Sequence, residues 1–432
     1  MLAFLLVKCM AVSADLLIDI PQGYDNPKKI AVVPFGGGAD VEMLPDLAGI
    51  VSFDLARSGQ FAPLDTENML SLPSSPDGVF FRDWRVLGVE YLVIGRAQRD
   101  YAGEVTVTYH LYDVFNEREL IDEQLRGKPE QGRDLAHRIA DVVYEEITEI
   151  PGAFSTKIMY VLAQNLGSRD VRFELKIADT DGERAQTLLT SREPILSASW
   201  SPDGRQVAYV SFEGGKPSIY LQQVATKQRK VLTDFKGLNS APVFSPDGRR
   251  LAMVLSRDGN PEIYIMDLAT RKLRRVTRHH AIDTEPGWTP DGNGLIFTSD
   301  RGGKPQIYSI DLNTGLTERL TFIGDWNARG RLLPDGKHLV YVHRENGVYH
   351  IALQDLEKDT LMGLSTTSLD ESPSIAPNAS MLIYATQDRG RGILAVVSID
   401  GQVRYRLPSS SGDVREPAWS PYLNPVIKAG PG

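Results

Sequence analysis

Large apolar residues recur through the second half of the chain at a nearly fixed interval. Trp200, Phe244, Trp288, Leu332, Ile375 and Trp419 each stand two positions before a proline, at 202, 246, 290, 334, 377 and 421, so the steps are 44, 44, 44, 43 and 44. Four of these prolines open a Pro-Asp-Gly turn: Ser201-Pro202-Asp203-Gly204, Ser245-Pro246-Asp247-Gly248, Thr289-Pro290-Asp291-Gly292 and Leu333-Pro334-Asp335-Gly336. Pro presets φ, Asp hydrogen-bonds its own backbone, and Gly accepts a positive φ. Ala376-Pro377-Asn378-Ala379 and Ser420-Pro421-Tyr422-Leu423 are weaker copies. An apolar β-rich run follows each turn, as at Val207–Val210, Leu251–Leu255, Leu295–Thr298, Leu339–Val342 and Met381–Ala385. Ile219-Tyr220, Ile263-Tyr264 and Ile307-Tyr308 mark a third strand; Leu232-Thr233, Val276-Thr277 and Leu320-Thr321 mark a fourth. Four short strands per repeat of this length make a β-propeller blade.

The last turn, at Pro421, has only eleven residues after it. Its missing strands appear ahead of the first turn, at Lys157–Val161, Phe173–Ile177 and Leu188–Thr190. The pattern therefore predicts an all-β six-bladed propeller over 157–423. The strand near Glu416–Trp419 completes a blade begun at 157–190, so no sheet edge stays open.

Residues 27–150 carry no repeat and read as a small α/β domain. Lys29–Pro34 is a buried strand, and Leu47, Ile50, Val51 and Leu55 fall at helical spacing before Gly59. Phe80, Trp84 and Leu87 form a second short helical stripe. Tyr91–Ala97, Glu104–Val114 and Leu120–Arg126 are strands, and the alternation in the second implies one differently packed face. Leu135, Ile139, Val142, Val143 and Ile147 make an amphipathic helix ended by Pro151-Gly152. Gly36-Gly37-Gly38 follows a strand but lacks the Lys-Ser/Thr of a phosphate loop. At the front, Leu2–Val7 is apolar and Val12-Ser13-Ala14 resembles a cleavage site, so 1–14 reads as an export signal peptide. An extended segment, 15–26, would open the mature chain, and 424–432 would be a tail.

Composition narrows the function. A formal net charge of −9 argues against a duplex-binding surface, and a single cysteine, Cys9, excludes an internal disulfide and a thiolate zinc site. No Gly-x-Ser-x-Gly turn occurs, so the hydrolase activity that accompanies some propellers is not expected. The seven histidines are scattered, and adjacent His279 and His280 would diverge on a strand. Asp179-Thr180-Asp181-Gly182 imitates the start of a calcium loop but reads as a β-turn between blade strands. No cofactor is expected.

In a propeller the innermost strands start at one mouth. The residues five to seven positions before each proline should lie there: Ile195, Leu196 and Ser197; Asn239, Ser240 and Ala241; Asp283, Thr284 and Glu285; Asn327, Ala328 and Arg329; Asp370, Glu371 and Ser372; Val414, Arg415 and Glu416. Mixed charges with small polar groups suit a protein partner of complementary charge. Arg329 and Arg415 would repel a bare metal ion. The competing class is a metal-dependent propeller hydrolase with its site in the central channel. A carbohydrate-binding propeller would need aromatics at the mouth, and none of these residues is aromatic.

Several segments closely resemble the TolB family: Ile30–Phe35, Thr284-Glu285-Pro286, Phe297–Asp300, Leu369–Ser374 and Pro417–Leu423. The resemblance implies a non-enzymatic periplasmic adaptor of the Tol–Pal system, with PD40-type repeats, acting in outer-membrane integrity and in invagination during cell division. It implies that the lipoprotein Pal docks at the mouth through Asn239, Ala241, Pro242, Thr284, Glu285, Arg329, Asp370, Glu371, Arg415 and Glu416. Leu238 stands where the family often places a histidine. It further implies that TolA binds the N-terminal segment at Leu16, Leu17, Ile18, Asp19 and Ile20. The protein is expected to be a monomer that reaches the outer membrane through its partners without inserting into it.

Overall fold

In the computed structural model the described residues are 24–38, 42, 44–407 and 412–423, with the backbone of 427–428. The expected signal peptide and the segment Leu16–Ile20 lie outside them, as does most of the expected tail.

The repeats fold as six four-stranded antiparallel sheets. The second blade comprises Ile195–Trp200, Gln206–Ser211, Ser218–Gln223 and Arg229–Thr233; the third to sixth blades start at Asn239, Asp283, Trp326 and Glu371. In the first blade the C-terminal strand Asp413–Trp419 is innermost, followed outward by Lys157–Gln164, Arg172–Asp179 and Gln186–Ser191. Trp419 lies opposite Ile158 and Val414 opposite Leu162, so the ring closes as the sequence predicts.

Each Pro-Asp-Gly turn is pinned locally. Gly248 takes φ 69° and donates its N–H to the Ser245 carbonyl at 2.8 Å, while Asp247 accepts the Arg249 N–H at 3.0 Å. In the weak copy at Pro377 the left-handed position falls to Ala379, at φ 56°. The residues two before proline cement neighbouring blades. The Trp200 indole donates to the Ala418 carbonyl and the Trp288 indole to the Val243 carbonyl, both at 3.1 Å.

The N-terminal sheet has β1 (Lys28–Val32) between β2 (Phe61–Pro63) and β3 (Tyr91–Arg99), parallel to both. The strands β4 (Val105–Asp113) and β5 (Arg118–Gly127) follow as antiparallel hairpins. Backbone at Ile427 and Lys428 adds to the outer edge of β5. Helices α1 (Leu47–Arg57) and α3 (Gly132–Thr148) cover one face, where Leu55, Leu135 and Ile139 pack on Ile30, Val93 and Val107. The short α2 (Phe81–Val86) lays Trp84 on the other face against Val33, Leu92 and Ile94. The alternation of β4 breaks at His110, so that Tyr109–Tyr112 are four consecutive buried residues, and Phe81 covers Tyr112 edge-on at 5.6 Å.

The N-terminal domain rests on the turn ends of the first and sixth blades through a buried ionic network. The Arg57 guanidinium donates to Asp54 on its own helix at 2.9 Å, to the Thr180 hydroxyl at 2.7 Å and to the Tyr405 hydroxyl at 3.0 Å. His137 meets Asp54 at 2.6 Å and stands 3.5 Å from Asp179. Asp179 is also held by Lys157 at 2.6 Å and Arg184 at 2.8 Å, and Arg133 pairs with Asp181. Burial works to lower the His137 pKa, but Asp54 and Asp179 outweigh it and raise it to about 9. Burial likewise opposes ionisation of Asp54 and Asp179, and their cationic neighbours hold both below the usual carboxylate range. The Asp179–Gly182 segment is the expected turn, with Gly182 at φ 87°, but its acids bind the other domain rather than solvent.

Candidate partner-binding site at the propeller mouth

Each innermost strand carries one β-bulge, and the bulged residue is left-handed. Ser197, Ala241, Glu285, Arg329, Ser372 and Glu416 have φ between 47° and 56°, and the strand register shifts beside each of them. All six stand five positions before the proline of their repeat. A left-handed conformation costs a non-glycine residue about 1–2 kcal/mol, so its six-fold recurrence is a built feature that re-aims one side chain per blade.

The result is a polar waist across the channel. Arg329 donates Nε to Glu285 at 3.0 Å, and its terminal nitrogens to Glu416 at 3.2 and 3.3 Å and to the Ser372 hydroxyl. Glu285 also accepts the Arg329 backbone N–H at 3.1 Å and the Thr298 hydroxyl at 2.9 Å. Glu416 accepts the Ser197 N–H at 3.0 Å. Burial acts to lower the Arg329 pKa, but Glu416, Glu285 and Glu371 override it and keep the guanidinium charged. On the mouth side of the waist lies a cavity of about 450 Å³ walled by Trp326, Tyr349, Leu369, Glu371 and Arg415. On the turn side lies a second, of about 440 Å³.

The predicted mouth residues thus sort by depth. Glu285, Arg329, Glu416 and Ala241 belong to the waist, and Pro242 is buried beside it. Glu371 is exposed at the mouth and Arg415 partly so, while Thr284 is partly exposed and lines the second cavity. Asn239 and Asp370 are buried and work on the loops. Asn239 accepts the Phe235 N–H at 3.1 Å and donates to the Phe235 carbonyl at 2.8 Å; Asp370 accepts the Ser365 and Thr367 hydroxyls.

Sequence reasoning missed the aromatic wall. The fifth innermost strand starts at Trp326, one residue earlier than expected, and Trp326 meets Tyr349 edge-on at 5.2 Å. The mouth therefore does hold aromatics. The signal was present eight positions before proline, where Leu238, Ile282, Trp326 and Leu369 recur as an apolar rim; Ile282 and Leu369 are each 48% exposed. His279 and His280 do not diverge either: they lie outside the strands, with ring centres 4.2 Å apart.

Among the described residues two side-chain groups have metal-ligand spacing, His110 with Glu119 and Asp122, and His137 with Asp179 and Asp181. The first lies on β4 and β5 and the second in the interdomain network, where Arg133, Arg184 and Lys157 already occupy the carboxylates. Neither faces the channel, whose two waist carboxylates are both bound by Arg329. No helix among the described residues is long and apolar enough to cross a membrane.

The chain matches the TolB amino-terminal domain over residues 16–120 and the TolB beta propeller domain over 144–423. It is 57% identical over 417 residues to the Tol-Pal system protein TolB of Pseudomonas entomophila, covering 96% of each chain. It is 54% identical over 424 residues to that of Pseudomonas aeruginosa, covering 98% of each. The crystal structure of TolB from Acinetobacter baumannii superposes with a TM-score of 0.87 at 45% identity, covering 94% of this chain and all of that one. The chain belongs to the TolB family, a non-enzymatic component of the Tol–Pal system.

Proposed function

We propose that the protein is a periplasmic adaptor whose propeller mouth receives Pal and whose N-terminal segment, around Leu16–Ile20, engages TolA. Together these contacts would serve outer-membrane integrity and invagination during division. The observation that carries this reading is the mouth itself. An apolar rim and an aromatic-walled cavity surround exposed Glu371 and partly exposed Arg415, over a charged floor. Specific interfaces combine a packed apolar centre with complementary charge at the rim. Asn239, Ala241, Pro242, Thr284 and Asp370 shape the loops and wall, while Glu285, Arg329 and Glu416 fix the floor.

Tyr24 supports a link between the two binding regions. Its hydroxyl donates to Asp400 on the sixth blade at 2.6 Å, which ties the end of the leading segment to the propeller. Occupation of the mouth is proposed to shift that segment between packed and free states.

Co-purification from envelope extract, with partners identified by mass spectrometry, tests the reading. Recovery of Pal and TolA is expected. Recovery of neither would reject it, and equal affinity for a TolA domain with and without saturating Pal would reject the coupling.

A further inference from the structure

The turn-side chamber contains a guanidinium with no direct ion-pair partner among the described residues. Arg329 and Arg331 lie on the same innermost strand, yet their surroundings differ. Arg329 is bound by two carboxylates. Arg331 makes one hydrogen bond, from a terminal nitrogen to the neighbouring Gly330 carbonyl at 2.7 Å, and among the described residues no carboxylate stands within ion-pair distance of it. Gly287 on the adjoining blade lies beside the guanidinium: a Cβ there would be in contact with its terminal nitrogen at 3.4 Å. Burial lowers the Arg331 pKa, with neighbouring Arg329 adding to the effect and Glu285 and Glu416 opposing it from further away; Arg57, Arg184 and Arg329 are all shifted the other way by their direct partners. Arg331 is partly exposed to the chamber, so an oxyanion entering from outside can reach it and supply the charge-assisted bonds it lacks.

The remaining wall defines the rest of the ligand. Ser240, Thr284, Trp200 and Trp419 also line the chamber. A volume of about 440 Å³ is within the range that holds a small molecule. The planar fork of Arg331 suits a carboxylate, the serine and threonine hydroxyls suit ligand hydroxyls, and the indoles suit a compact ring.

We propose that the turn-side chamber of the channel binds a small hydroxylated carboxylate, of the sugar-acid class, with its carboxylate on Arg331 and its hydroxyls toward Ser240 and Thr284. Glu285 and Glu416 share the single charge of Arg329 in the waist, so the chamber as a whole is close to neutral and the affinity is modest.

Isothermal titration of the full mature chain with D-galacturonate tests this. Binding with a millimolar or tighter dissociation constant is expected. It should weaken at least tenfold with the methyl ester of galacturonate, which keeps the hydroxyls and removes the charge. Arg331→Met should abolish it, with Arg331→Lys restoring part. Absence of binding at about 20 mM, roughly twenty times a millimolar constant, would overturn the proposal, as would equal binding of the methyl ester. The ester comparison uses the unmodified protein and so stands even where Arg331→Met fails to fold.

Discussion

Replacing Arg57 by Met tests how the two domains are held together. The side chain is 2% exposed and donates to three acceptors, Asp54 at 2.9 Å, Thr180 at 2.7 Å and Tyr405 at 3.0 Å. Methionine keeps the stem volume and removes all three bonds. Asp54, fully buried, would keep only His137. Breaking a buried ion pair from one side costs about 3–5 kcal/mol, because the remaining charge stays desolvated. Two of the three bonds cross to the propeller, so the loss should fall on the docking of the N-terminal domain. Urea unfolding followed by tryptophan fluorescence can separate the domains, since Trp84 reports the N-terminal domain and Trp200, Trp288, Trp326 and Trp419 report the propeller. The expected result is an N-terminal transition moved to lower urea while the propeller transition stays in place; one overall ΔG would not describe such a chain. The control is Arg85→Met, which breaks the largely exposed Arg85–Glu117 pair and should cost no more than about 1 kcal/mol. An Arg57→Met chain no less stable than this control would refute the latch.

The same network sets a pH dependence. His137 has a folded pKa of about 9 against an ordinary 6.5, so its contribution is complete below pH 6.5 and disappears as pH rises through 9. Docking stability should fall across that window by at most about 3 kcal/mol, and in His137→Gln the fall should vanish; an unchanged slope would contradict the assignment. Asp54 and Asp179 are shifted downward, so their contribution is present above about pH 4 and lost on further acidification. A chain ending at 412 lacks the innermost strand of the first blade and leaves Lys157–Gln164 as an open edge. It should aggregate on size-exclusion chromatography with light scattering, and a monodisperse product would contradict closure of the ring by that strand.

The blade count was legible because the repeat is one-dimensional: a proline every 44 residues, a large apolar residue two positions earlier, and a final unit too short to stand alone. The waist was legible in position, since all its residues are five before proline, but not in depth. Alternation along a strand predicts which residues share a face, whereas a bulge changes the facing of everything before it. For this reason Asn239 and Asp370, read as mouth contacts, turn back into their loops, and Trp326 enters the mouth unannounced. The interdomain network had no sequence signature. Asp54, His137 and Asp179 are far apart along the chain and share no spacing; the packing of α1 against α3 brings Asp54 to His137, and their docking on a propeller turn brings His137 to within 4 Å of Asp179.

Docking of Pal at the mouth can be measured by isothermal titration of purified Pal into the mature chain and into charge reversals. Glu285 holds the waist through Arg329, so Glu285→Lys would disturb the fold as well as the surface. Exposed Glu371 offers the cleaner substitution. Wild type should bind Pal, and Glu371→Lys should bind at least tenfold more weakly, about 1.4 kcal/mol, with an unaltered melting temperature. Equal affinity of the two chains for Pal, or no binding by either, would contradict a Pal-docking mouth.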